Sequence, residues 1–204
     1  MIKLYRHALS GHAHRVELFL SLLDLDYQLV DVDLMAGAHK DAEFVKMHPF
    51  GQVPVLDDNG TVLWDSNAIL VYLARTYGKE AWNPANANEE AAVQAWLSVA
   101  AGSIAFGPAT ARLVTVFGAD LDHEGAKARA NGLFETVNGT LENQAYLTGA
   151  RITIADIAAY TYIAHAPEGG VPLEGYPNIQ AWIGRIESLP GFVGMQKTPL
   201  TVAA

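Results

Sequence analysis

Apolar and polar residues alternate along the opening IKLYRH, Ile2 to His7, the period of a strand with one buried face. After a Gly/Ser/His loop, Val16, Phe19, Leu20 and Leu23 recur at helical spacing and predict one buried helix face. YQLVDVDL alternates again, completing a βαβ pattern whose crossover is expected to be right-handed. MAGAHKDAEFVKM reads as a loop and a short helix. VPVLDD and TVLWD then flank Asn59-Gly60, a pair that predicts a hairpin and therefore an antiparallel step in a mixed sheet. Ser66 is the expected cap of a helix with Ile69, Leu70 and Leu73 on one face, and Gly78 is placed to end it. The order so far is βαβαββα.

The pattern changes after that. GKEAWNPANAN is polar and turn-rich, as a linker is. Beyond Asn88 no strand-like alternation persists; alanine-rich stretches from Glu89 to Phe117 and from Asp122 to Tyr146 predict helices, with a kink or break near Gly107-Pro108. The division is thus an α/β domain over 1–77, a linker over 78–88 and an all-helical domain over 89–204. In RITIADIAAY, Thr153 and Asp156 have the spacing of a capping box, and Ile152 with Ile157 that of a hydrophobic staple, which gives Asp156 a folding role.

Composition narrows the chemistry. Half of the 204 residues are apolar and 17% are charged, an ordinary globular balance. No apolar run approaches the roughly 18 residues of a membrane span, and MIKLYRHALSGH lacks the apolar core of a signal peptide, so a cytoplasmic protein is expected. A formal net charge of −9 without a basic cluster argues against nucleic acid. With no cysteine, any thiol chemistry must use a substrate's sulfur. Of His7, His12 and His14, the last two stand two apart and do not share a helix face, so no metal site is expected.

One stretch is unusual: in HPFGQVPVL, Pro54 opens a strand although it has no N–H for a ladder, which points to an edge, a turn or a cis bond. A βαβαββα domain with Val-Pro before its third strand, followed by a helical domain with TIAD near its end, resembles the glutathione transferase family over nearly the whole chain. The resemblance implies an α/β thioredoxin-like N-terminal domain, an all-α C-terminal domain, glutathione as co-substrate, no metal, and a homodimer. It also implies that Pro54 is cis and that Val53 pairs through its backbone with the cysteinyl part of glutathione, as an added strand would. AHK and LSGHAHRV look most like the serine-type phi and theta classes and their bacterial relatives. On that basis Ser10 activates the thiol, and His39, Lys40, Gln52, Val53, Pro54, Asp65 and Ser66 surround glutathione. Asp65 stands where many relatives have glutamate, and His48 where asparagine is common. Glutathione-dependent reduction of disulfides or peroxides and a noncatalytic transferase-like module remain open beside conjugation.

Each charged end of glutathione finds a partner in this set. Asp65-Ser66 begins a helix, whose N-terminus favours the glutamyl carboxylate; Asp65 suits the ammonium, and His39 with Lys40 the glycyl carboxylate. Ser66 as a plain cap and Lys40 as a solvated lysine are the alternatives. A free thiol titrates near ~8.5 and must come down about two units, roughly 2.7 kcal/mol, to be a thiolate at neutral pH. A hydroxyl hydrogen bond to a charged group contributes roughly 1.5–3 kcal/mol and a helix N-terminus ~0.3–2, so together they suffice. Ser10, just ahead of the first helix, supplies the hydroxyl as donor; Tyr5 is the rival, or else packs in the core. Arg15 reads as a surface ion pair or a neighbour of the glycyl end. Leu9, Phe106 and Arg112 are candidates to line a pocket for a hydrophobic electrophile.

Overall fold

The computed structural model describes residues 1–199, apart from the side chains of Lys79 and Ala81; 200–204 of the expected helical domain lie outside the described residues. The chain divides into two compact units, Met1–Asn83 with Leu189–Gln196, and Pro84–Ser188 with the residues from Lys197 onward.

In the first unit, β1 (Ile2–Arg6), β2 (Tyr27–Asp31), β3 (Val55–Asp58) and β4 (Thr61–Trp64) form one sheet in the order β2-β1-β3-β4. β1 runs parallel to β2 and antiparallel to β3, which pairs antiparallel with β4. Alternation divides the side chains between two faces. Tyr5 and Val55 pack with Val32 and with Phe44 of α2 (Ala42–Met47), so Ile2, Leu4 and Leu56 point to the opposite face. α1 (Gly11–Leu22) and α3 (Ser66–Tyr77) pack on each other and bury Val16, Phe19, Ile69, Leu70 and Leu73, each worth about 1.5–3 kcal/mol when fully buried. Asn59 and Gly60 both take positive φ, 51° and 99°, as a two-residue hairpin of the I′ type requires.

Three expectations need revision. Asp65, not Ser66, caps α3; its carboxylate accepts from the amides of Asn67 and Ala68, leaving Ser66 as the first helical residue. The expected linker contains a short helix, α4 (Lys79–Trp82), tied to α1 by edge-to-face contact of Trp82 with Phe19 at 4.8 Å. And Leu189–Gln196, expected in the helical domain, belongs to the first unit, where Ser21 Oγ donates to Gly191 O at 2.7 Å and His14 Nε2 to Val193 O at 2.9 Å.

The second unit is helical. α5 (Ala87–Val99) continues through a π-helical segment, Ala100–Ala109, into α6 (Thr110–Phe117), so Gly107-Pro108 does not break the rod. In an α-helix the Pro108 ring would meet the carbonyl four residues back. The wider turn avoids it, with the Thr110 amide and hydroxyl both donating to Ala105 O five residues back. At Gly107 the rod touches α7 (His123–Thr140), where an added Cβ would lie 3.1 Å from the Ala130 amide nitrogen. By length and composition Ala87–Phe117 could cross a membrane, with 39% of its most apolar window buried inside the protein. α8 (Ile154–Ala164) carries the predicted capping box, and α9 (Pro177–Glu187) follows. Asp156 is fully buried and accepts from the Thr153 and Leu147 amides and from Trp182 Nε1, joining the cap, the preceding turn and α9.

Candidate functional site

Ser10 ends the loop after β1 and caps α1, its Oγ accepting from the Ala13 amide at 3.3 Å. That bond occupies an oxygen lone pair and leaves the hydroxyl proton free to go to an outside acceptor at the positive end of a twelve-residue helix. Tyr5 does not share this place: its ring lies 6.4 Å edge-to-face from Phe44, in the core on the other face of the sheet.

The first turn of α1 meets the first residues of α3. Ser66 is buried, and its Oγ lies 3.5 Å from His12 Nδ1 and accepts from Arg15 Nη1 at 3.2 Å; the same nitrogen donates to Asn67 Oδ1 at 2.8 Å. Arg15 is therefore not a surface ion pair, being 1% exposed. Desolvation, with Arg15 beside it, pushes the His12 imidazole down to about 3, so it is neutral at physiological pH. Asp65 holds φ 69°, an uncommon value for a residue with a Cβ, and of its carboxylate only Oδ1 is spent on the cap. Oδ2 remains for a cation.

A second cluster gathers around the unusual proline. The turn Ala38–Lys40 and the segment His48–Gln52 are held together by Lys40 Nζ, which donates to Phe50 O at 3.0 Å and Gly51 O at 2.9 Å. Gly51 takes φ 56°, and a Cβ there would lie 2.6 Å from His39 O, so the close approach needs glycine. Gln52 is exposed, and the Val53-Pro54 peptide is cis. Among the described residues, Val53 enters none of the backbone hydrogen bonds of the loops and turns. His39 Nδ1 is buried with no hydrogen-bond partner among the described residues. His48 is buried, its ring 5.1 Å from that of Trp64 and its Nδ1 accepting from the Phe50 amide, so it organises the turn from within. Burial holds its imidazole below the usual range, against the opposing pull of Asp65.

The three pocket candidates separate. Leu9 is half-buried beside Ser10 in the first unit, its amide donating to His7 Nδ1. Phe106 is 64% exposed on the π segment. Arg112 is a correction: it is 2% exposed and its Nε meets Glu168 Oε2 at 2.6 Å, inside the second unit, so it anchors that core instead of lining a pocket. Sequence reasoning also missed Arg15, His12 and Asn67 as one group. The available signal was Arg15 lying four residues before Phe19, on the helix face that also carries that apolar residue. Among the described residues no group of three or more His, Cys, Asp or Glu is placed to hold a metal ion.

Residues 1–75 match the family model for the glutathione S-transferase N-terminal domain, and residues 118–190 that for its C-terminal domain. Glutathione S-transferase 3 of Zea mays is 34% identical over 212 residues, covering 97% of this chain and 92% of that protein. A glutathione S-transferase of Hyoscyamus muticus is 30% identical over 209 residues, covering 94% and 95%. The crystal structure of glutathione S-transferase from Pseudomonas fluorescens is similar with a TM-score of 0.90 at 32% identity, covering 96% of this chain and 99% of that one. The chain belongs to the glutathione S-transferase family.

Proposed function

We propose that this protein conjugates glutathione to hydrophobic electrophiles, as a serine-type member of its family in which Ser10 activates the thiol. The observation that carries the reading is the meeting of two helix N-termini at Ser66: α1, capped by Ser10, reaches it through His12 and Arg15, and α3 begins with it. A peptide thiol bearing a carboxylate then finds an anion site and a hydroxyl donor on adjoining helices. Ser66 takes the glutamyl carboxylate and Asp65 Oδ2 its ammonium. Val53 pairs with the cysteinyl backbone beside Pro54 and Gln52. His39 and Lys40 serve the glycyl carboxylate, the lysine through the one N–H not given to Phe50 O and Gly51 O. In this reading 1–77 binds glutathione, 78–88 links, and 89–204 contributes the electrophile pocket, with Phe106 among its lining residues. A cytoplasmic homodimer completes it.

Ser10→Ala tests the assignment. Binding of glutathione should largely survive, while the bound thiol loses a charge-assisted bond of roughly 1.5–3 kcal/mol and its pKa rises by about one to two units. Conjugation at neutral pH falls at least about tenfold. Ultraviolet titration of the thiolate in wild type, Ser10→Ala and Tyr5→Phe reads this directly. Loss in the tyrosine variant with a wild-type serine variant would transfer the role to Tyr5.

A further inference from the structure

Arg15 is among the largest fully buried side chains of the protein. Burying a guanidinium opposes folding unless its charge is used, and here Nη1 is directed at the start of α3. Asp65 Oδ1 already occupies the amides of Asn67 and Ala68, so among the first donors of that helix the Ser66 amide and hydroxyl are those left for an anion. Arg15 Nη1 fills a lone pair of Ser66 Oγ and at the same time fixes the Asn67 amide group, so the cation holds and polarises the hydroxyl that opens α3. His12, whose Nδ1 lies 3.5 Å from Ser66 Oγ, is neutral and adds no charge there.

We infer that Arg15 is a positioning residue that gives the site its selectivity for thiol peptides with a free carboxylate on the γ-glutamyl end, acting through Ser66 and Asn67. This rests on the glutathione reading above and concerns the carboxylate end of the peptide, apart from the activation of sulfur by Ser10.

The test compares glutathione with 4-aminobutanoyl-cysteinyl-glycine, the same peptide without the glutamyl α-carboxylate. Binding is measured by calorimetry and conjugation by steady-state kinetics. Wild type should prefer glutathione by roughly tenfold or more, the size of one charge-assisted hydrogen bond. Arg15→Lys keeps a charge and loses the two-pronged geometry. It should weaken glutathione by roughly tenfold while the analogue changes less than about twofold, with KM for glutathione rising and kcat and the bound-thiol pKa unchanged. Asn67→Asp sets a carboxylate against Arg15 at little cost in volume and should act in the same direction; it decides alone if Arg15→Lys does not fold. Equal weakening of both peptides in either folded variant, or a fall in kcat with KM unchanged, overturns the proposal. So does a wild type that binds both peptides equally, which would leave the glutathione reading standing. A wild type that binds neither peptide removes both.

Discussion

Each unit buries an arginine and a histidine in one polar cluster, and the clusters are built in opposite ways. In the second unit Glu168 stands at the centre: Arg112 Nε donates to one oxygen at 2.6 Å, His165 Nδ1 to the other at 2.7 Å, and Thr198 adds its amide and hydroxyl. Burial alone would raise that carboxyl, but His165, Thr198 and Arg112 outweigh it and hold Glu168 down to about 2. In the first unit Arg15 donates to two neutral oxygens, of Ser66 and Asn67, with a neutral imidazole alongside. A cation matched to a carboxylate has spent its field, and what it holds is the fold. A cation set behind a hydroxyl still acts on whatever that hydroxyl meets. Of two equally buried arginines, Arg112 thus anchors the fold, while Arg15 holds the position behind Ser66 on which the inference above rests.

The comparison breaks most sharply at Glu168. Glu168→Ala leaves Arg112 facing His165 without a counter-charge, and breaking a buried pair in this way costs about 3–5 kcal/mol. Chemical denaturation should show that loss while the folded fraction keeps its glutathione affinity; unchanged stability would mean that the cluster does not anchor the unit. Acid sharpens the contrast next. Unfolded, His12 takes a proton near 6.5, whereas folded it waits until about 3, so stability contributed at neutral pH drains away as pH falls between those values. Glu168 drains in a lower window, from its ordinary 4.5 toward about 2. His12→Asn should flatten part of the slope of stability against pH below 6.5, a range that His48 and His165, both lowered chiefly by burial, share. Glu168→Gln should flatten the slope below 4.5 and spare the range above it. Denaturant melts at stepped pH read both, and swapped windows would reverse the assignment. The smallest effect belongs to Thr153→Ala, which removes one cap hydroxyl while Asp156 keeps its bonds to Leu147 and Trp182. It should cost ~0.5–2 kcal/mol in thermal or denaturant unfolding and leave conjugation rates alone.

The strands, the hairpin at Asn59-Gly60 and the capping box at Thr153 were legible in the chain because each is fixed by neighbours within a few residues: period-2 alternation, positive-φ turn chemistry, and a side chain within reach of its own helix N-terminus. The glutathione contacts proposed for residues from His39 to Ser66 rest on resemblance, since nothing in AHK or DSN alone says what a lysine or serine will meet. Tertiary structure decided the rest. Arg112 and Arg15 both stand where local sequence suggests a pocket or a surface, and their roles depend on partners 56 and 51 residues away, at Glu168 and Ser66. Pro108 read as a kink or break because its ring clashes in an α-helix; the chain instead widens into a π turn and continues, with α7 packed at Gly107. The return of Leu189–Gln196 to α1 was equally out of reach, because a strap held by Ser21 and His14 to backbone carbonyls leaves no periodic mark in either segment. Local periodicity and capping determine elements, while the pairing of buried charges is a property of which elements meet.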